Sequence, residues 1–123
     1  MSENLKNKPN SPTKSAANDD IGPPWLLRDV EGRTLMCNLH FLGGNQRAFS
    51  YAQLSQVEYD PSVGIKLRFY GEEVLIQGRN LSALHQAFLV ERVESVFEGD
   101  SAQDIGRDHE PFIDGLRITP RRG

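Results

Sequence analysis

Gly78, Arg79, Asn80 and Leu81 mark the point at which an alternating apolar pattern gives way to a helical one. An asparagine able to cap a helix, set beside a guanidinium, is a workable anion site, because the free N–H groups at a helix start attract phosphate or carboxylate. Lys66 and Arg68 fall on one face of the preceding strand pattern, with Arg47 and Arg79 in reach and Tyr51, Tyr59 or Tyr70 able to stack bases. Together these residues make a candidate anion or nucleic-acid surface. The plainer reading pairs Arg79 with Glu72 or Glu73 and makes the Lys66 and Arg68 face a mixed-charge, solvated one, since Glu58, Glu72 and Glu73 interrupt it.

Cys37-x-x-His40 has metal-ligand residue types, but residues three apart on a strand project to opposite faces and cannot chelate one ion. Cys37 shares its register with Leu35 and Leu39, so it reads as a core thiol. Asp100, Asp104, Asp108, His109, Glu110 and Asp114 form an acidic run, yet they lack the alternating ligands and closing Glu of a calcium loop. Neither a metal nor another cofactor is expected. His40, His85 and His109 are the candidate bases, with Cys37 and scattered serines as nucleophiles. No nucleophile elbow or phosphate loop frames them, so an enzyme is not expected.

The remaining chemistry is that of contact. Phe112, Ile113, Leu116 and Ile118 put apolar groups into a polar C-terminal stretch, as a docking peptide would. Strands at a sheet edge offer unpaired backbone groups to a partner strand or a second copy. The function expected is therefore a small non-catalytic module acting through protein–protein contacts, with an unidentified partner or as a homodimer. The alternative is an anion or nucleic-acid binding domain built on Arg79, Asn80, Lys66 and Arg68.

The scaffold for these residues is small. The 123 residues carry a net charge of -3, with 14 basic and 17 acidic side chains and no segment of basic excess, so nucleic acid is not the favoured partner. Residues 1–23 are rich in Asn, Ser, Lys and Pro and bury too little apolar area to offset ordering, so a disordered N-terminal tail is expected. Residues 24–99 read as a single domain, and residues 100–123 as a polar, partly apolar tail. A single cysteine rules out an internal disulfide and suits a reducing compartment. With no apolar leader and no membrane-spanning run, a cytoplasmic location without membrane contact is expected.

Within residues 24–99, alternation places strands at 34–41, 47–51, 56–59, 65–69 and 74–76, with a leading strand at 25–30. Gly43-Gly44-Asn45 and Asp60-Pro61-Ser62-Val63-Gly64 are turn signals. Residues 50–54 can hold one helical turn. From Leu81, the spacing of Leu84, Phe88, Leu89, Val93, Val96 and Phe97 predicts one amphipathic helix ending at Gly99. The fold class predicted is α+β, a five- or six-stranded antiparallel meander closed by that C-terminal helix. It would form a small roll or partly open barrel, a reduced pleckstrin-homology-like plan. The stretch SYAQLSQVEYDPSVGIKLRFYGEEVLIQGRNLSALHQAFLVERVESV, residues 50–96, resembles small uncharacterised bacterial proteins with a strand ending in Gly-Arg-Asn-Leu and then a helix ending in Arg-Val and another apolar residue. That resemblance implies no activity.

Overall fold

In the computed structural model, which describes residues 22–29, 31–104 and 109–121, the alternating stretches become strands. The order is β1 (Trp25–Leu27), β2 (Met36–His40), β3 (Gln46–Ser50), a 3₁₀ turn (Tyr51–Gln53), β4 (Leu54–Asp60), β5 (Gly64–Phe69) and β6 (Glu72–Arg79). Helix α1 (Ser82–Leu89), β7 (Val93–Phe97), a second 3₁₀ turn (Ser101–Gln103) and β8 (Phe112–Pro120) complete it. Two open four-stranded sheets result. Sheet 1 runs β1-β7-β2-β3 and is mixed, because β2 and β7 are parallel; sheet 2 runs β4-β5-β6-β8 and is antiparallel.

This corrects the expected single meander and its roll or barrel closure. The chain leaves sheet 1 after β3, at a turn that Ser50 Oγ caps by accepting from Ala52 N at 3.1 Å. Tyr51 in that turn is buried, and its hydroxyl donates to Val93 O at 2.9 Å and accepts from Val93 N at 3.1 Å. The crossing is thus tied to β7, whose place in sheet 1 depends on contacts distant in sequence. The Phe49 and Phe69 rings, one from each sheet, stack at 4.8 Å. Cys37, Leu39, Val93 and Val96 from sheet 1 and Ile65, Leu67, Val74 and Ile76 from sheet 2 fill the core with α1 residues Leu84 and Phe88.

The expected C-terminal helix over residues 81–99 is overturned, and the reduced pleckstrin-homology-like plan falls with it. Helix α1 stops at Leu89: Val90 N and Arg92 N both bond to Ala87 O, Glu91 N bonds to Phe88 O, and Glu91 takes φ 59. The physical reason for the misreading is a bulge. Leu26 pairs with Ser95 but Leu27 pairs with Val93, leaving Glu94 extra in β7. The bulge turns Val93 and Val96, three residues apart, to the same buried face, which reproduces helical spacing within a strand. Residues 82–89 stay helical because Leu84, Ala87 and Phe88 form a buried stripe that β7 and sheet 2 receive.

The C-terminal residues expected as a tail build part of sheet 2. β8 pairs with β6 from Arg79 opposite Phe112 to Glu72 opposite Pro120. Gly78 permits this approach, since a Cβ there would land on the Phe112 carbonyl oxygen. Gly64 is held to glycine twice over, by φ +135 and by the Ile76 carbonyl oxygen where its Cβ would sit. The disorder expected for residues 1–23 falls on residues 1–21, outside the described residues, apart from Gly22 and Pro23. No helix among the described residues is long and apolar enough to cross a membrane.

Candidate functional site

The outward side chains of sheet 1 come together from strands far apart in sequence. Cys37, Leu39, Phe49 and Val96 face the core, so Met36, Asn38 and His40 of β2, Ala48 of β3 and Ser95 of β7 face away from it. The register aligns Leu26, Ser95, Asn38 and Ala48 in one row across all four strands, and Phe97, His40 and Gln46 in the next. Asn38 Nδ2 donates to Gln46 Oε1 at 2.8 Å and lies 3.2 Å from His40 Nε2. Ser95 Oγ lies 3.3 Å from the same nitrogen, and the imidazole stacks on the Phe97 ring at 4.4 Å.

A hydroxyl beside an imidazole is the first half of a nucleophile–base system. A working one also needs a third group that orients the ring and donors placed for the developing oxyanion. Here Asn38 reaches the nitrogen that Ser95 already faces, and no carboxylate among the described residues bonds to the ring. The network instead ties the outward side chains of three strands to one another. Sequence reading missed Asn38 and Ser95 because Ser95 was placed in the helix and stands 55 residues from His40. The readable signal was the lack of Asp, Glu, Lys and Arg at the outward positions of 36–40 and 46–50.

The expected anion residues are placed differently. Arg79 forms a bidentate pair with Asp104 at 2.5 and 2.9 Å, and its guanidinium lies over the Phe112 ring at 5.4 Å. Asn80 is not the helix cap. It takes φ 58 and donates to Glu110 O at 3.0 Å, while the cap position falls to Leu81, which makes no side-chain capping bond. Lys66 faces Glu73 at 3.8 Å; Arg68 faces Glu73 at 3.4 Å and Glu58 at 3.8 Å and donates to Gln56. Arg79 therefore does not converge with Lys66 and Arg68, and all three meet carboxylates.

Cys37 is buried, and burial pushes its thiol up to about 12, which favours the neutral thiol over the thiolate at neutral pH. Among the described residues no group of three His, Cys, Asp or Glu could hold a metal ion. His85 stacks on Tyr59 at 5.1 Å, and Asp100 accepts from Ala102 N as a turn cap. The Asp60 carboxyl is held below its usual range by the Ser62 hydroxyl and then the Ser62 N–H, a turn bond and nothing more. A hollow of about 120 Å³ beside it, lined by Glu58, Asp60, Val63, Gly64 and Lys66, is smaller than the usual range of ligand cavities, which starts at about 300 Å³.

Of the expected docking residues, Ile113 and Leu116 are buried in β8, Ile118 packs against the core, and Phe112 lies under Arg79. They are spent on the fold. A different apolar group is exposed. Leu35 is 80% exposed, Leu89 52% and Val90 59%, and the bond Thr34 N to Glu91 O joins the segments that carry them. Comparison of the chain with protein-family models, with curated proteins and with solved structures finds no match.

Proposed function

We propose that the chain is a small non-catalytic module that acts through protein–protein contacts, and that sheet 1 is the side it uses. The observation that carries this reading is the outward face of sheet 1. In a chain with 25% charged residues, its rows hold no Asp, Glu, Lys or Arg apart from Glu94 at the bulge. Depletion of charge with aromatic and Met side chains present is the compositional mark of an interface centre. Leu26 and Met36 stand half exposed on that face, and the Leu35, Leu89 and Val90 group lies beyond it. The alternative, an anion or nucleic-acid domain, has less support because Lys66, Arg68 and Arg79 each face a carboxylate.

The test compares the immobilised full chain with Leu26→Lys/Met36→Lys and Lys66→Ala/Arg68→Ala double variants. Bound protein and nucleic acid are identified, and the purified partner is then titrated. The expected result is a protein partner lost by the first pair, kept by the second, and little affected by about 0.5 M salt. Nucleic acid lost with Lys66 and Arg68 and released by moderate salt would overturn the reading.

A further inference from the structure

The four sheet edges differ in what they offer. β1 is three residues long and faces the β7 bulge. β4 is interrupted between Leu54 and Gln56 and carries Glu58 and Asp60. The outer side of β8 is occupied, with Leu116 N on Glu98 Oε2 at 3.3 Å and Gly99 N on Ile113 O at 2.8 Å, and the strand ends in Pro120. Bulges, charges, proline and covering groups are the devices that keep edges from pairing. β3 has no bulge and no proline, and its one charge, Arg47, is paired with Glu72 at 2.6 Å; five consecutive pairs join it to β2 without a register shift, and on its other side it pairs with no strand among the described residues.

The hydrogen-bond phase of β3 can be read from both ends. Phe41 N bonds to Asn45 O, and Tyr51 N to Leu35 O. Bonded pairs alternate in an antiparallel ladder, so Arg47 and Phe49 bond inward to β2. The N–H and C=O groups of Gln46 and Ala48 and the N–H of Ser50 therefore point out from the edge, while the Ser50 carbonyl serves the 3₁₀ turn that follows.

We propose that β3 pairs antiparallel with β3 of a second copy of this chain, about a two-fold axis at Ala48, joining two sheets 1 into one of eight strands. The inference rests on the protein-contact reading and names its partner. In this register Ala48 meets Ala48 through two reciprocal bonds, and Gln46 meets Ser50 of the other copy, whose N–H donates to the Gln46 carbonyl. Arg47 falls opposite Phe49 of the other copy, continuing the cation–π contact it makes within the chain at 5.1 Å. Glu72 already neutralises each Arg47 at 2.6 Å, so no unpaired like charges face each other at the edge. Such an isologous contact closes as a dimer. The strand is short, so the dimer is weak and concentration-dependent.

The test is sedimentation of the purified full chain from about 1 µM to about 1 mM, beside Ala48→Lys and Ala48→Glu chains alone and mixed. Ala48 is exposed and its backbone groups take no part in the β2 ladder, so each variant keeps the native circular dichroism. The native chain should dimerise. Each variant alone should associate about tenfold or more weakly, because identical charges meet at the axis. The mixture should recover as a heterodimer of one Lys and one Glu chain. A native chain that stays monomeric, or a mixture that associates no better than its components, would overturn the pairing. Since only purified chain is present, failure here leaves capture of a foreign partner through Leu26 and Met36 to be judged separately.

Discussion

The outward faces of the two sheets are built on opposite principles. Sheet 2 alternates sign across its strands: Glu58 opposite Lys66, then Arg68 opposite Glu73, with ion pairs of 3.4 to 3.8 Å linking the rows. Sheet 1 carries amides, an imidazole, hydroxyls and apolar groups, bonded to one another through Asn38 and His40. Desolvating the first face would strip water from several charges at once, which costs more than their mutual attraction returns. Desolvating the second removes little hydration that its own network does not replace. The contrast teaches that burial between the sheets specifies the fold, while charge placement on the outside sets how costly each face is to desolvate. The edges differ as well, with β4 interrupted and carrying Glu58 and Asp60, and β3 regular with its one charge, Arg47, paired to Glu72.

The contrast depends first on the two sheets being held as one body, and Phe88 is where that is most concentrated. It is 2% exposed, its ring lies 6.4 Å from that of Tyr51, and α1 touches both β4 and β7. Phe88→Ala is expected to lower stability by about 3–5 kcal/mol, read from urea unfolding by circular dichroism. A loss below about 1 kcal/mol would mean that the sheets cohere without the helix. Tyr51→Phe comes next. It leaves Val93 N and O without the hydroxyl that bonds both, at an expected cost of about 1–3 kcal/mol in the same measurement. Val93 amide exchange should speed up more than that of Ile76 in sheet 2. Equal acceleration in both sheets would break the assignment of Tyr51 to sheet 1.

The β4–β5–β6 hairpins were legible because one face alternates cleanly and Asp60, Pro61 and Gly64 mark the turn. Residues 82–89 were legible as helix for the same reason, a buried stripe at the right period. Two things were hidden. The bulge at Glu94 gave Val93 and Val96 a helical spacing inside a strand, so a local pattern pointed to the wrong element. β8 reads as tail because Arg117, Thr119 and Pro120 dilute its apolar residues, and its partner β6 lies beyond an intervening helix and strand. Of the candidate site, His40 was singled out, but Ser95 and Asn38 reach it only through the parallel pairing of β2 with β7. No sequence period announces that pairing. The basic residues were legible in type and face; their carboxylate neighbours were legible as interruptions.

A pH titration separates the two halves of the core. Cys37 from sheet 1 and Tyr51 from the crossing turn are buried among apolar groups, whereas the sheet 2 residues Ile65, Leu67, Phe69, Val74 and Ile76 do not titrate. Burial raises the Cys37 thiol from 9.0 to about 12 and lifts the Tyr51 phenol above its ordinary 10.0. The folded chain then keeps protons that the unfolded chain releases. Stability is whole below about pH 9 and falls as pH rises from there toward 12, by up to about 1.4 kcal/mol per pH unit for each group. Cys37→Ala should delay the onset to near pH 10, where Tyr51 alone acts. Urea midpoints of the two chains falling in parallel between about pH 9 and 10 would remove Cys37 from the account.

The smallest effect is expected where the most charges are visible. Glu73 faces both Lys66 and Arg68, so Glu73→Gln removes two of the contacts of the sheet 2 face in one step. The three side chains are 26% to 34% exposed, and Arg68 retains Glu58 and Gln56. Attraction at such a surface is largely offset by hydration and side-chain entropy, so the expected loss is about 0.5 kcal/mol, shrinking further in about 0.5 M salt. Urea unfolding at low and high salt measures it. A loss above about 2 kcal/mol that salt leaves unchanged would make the ionic face a structural element of the fold. The small value is the one that fits charges that remain hydrated, because their attraction for one another then barely exceeds what water already gives each of them.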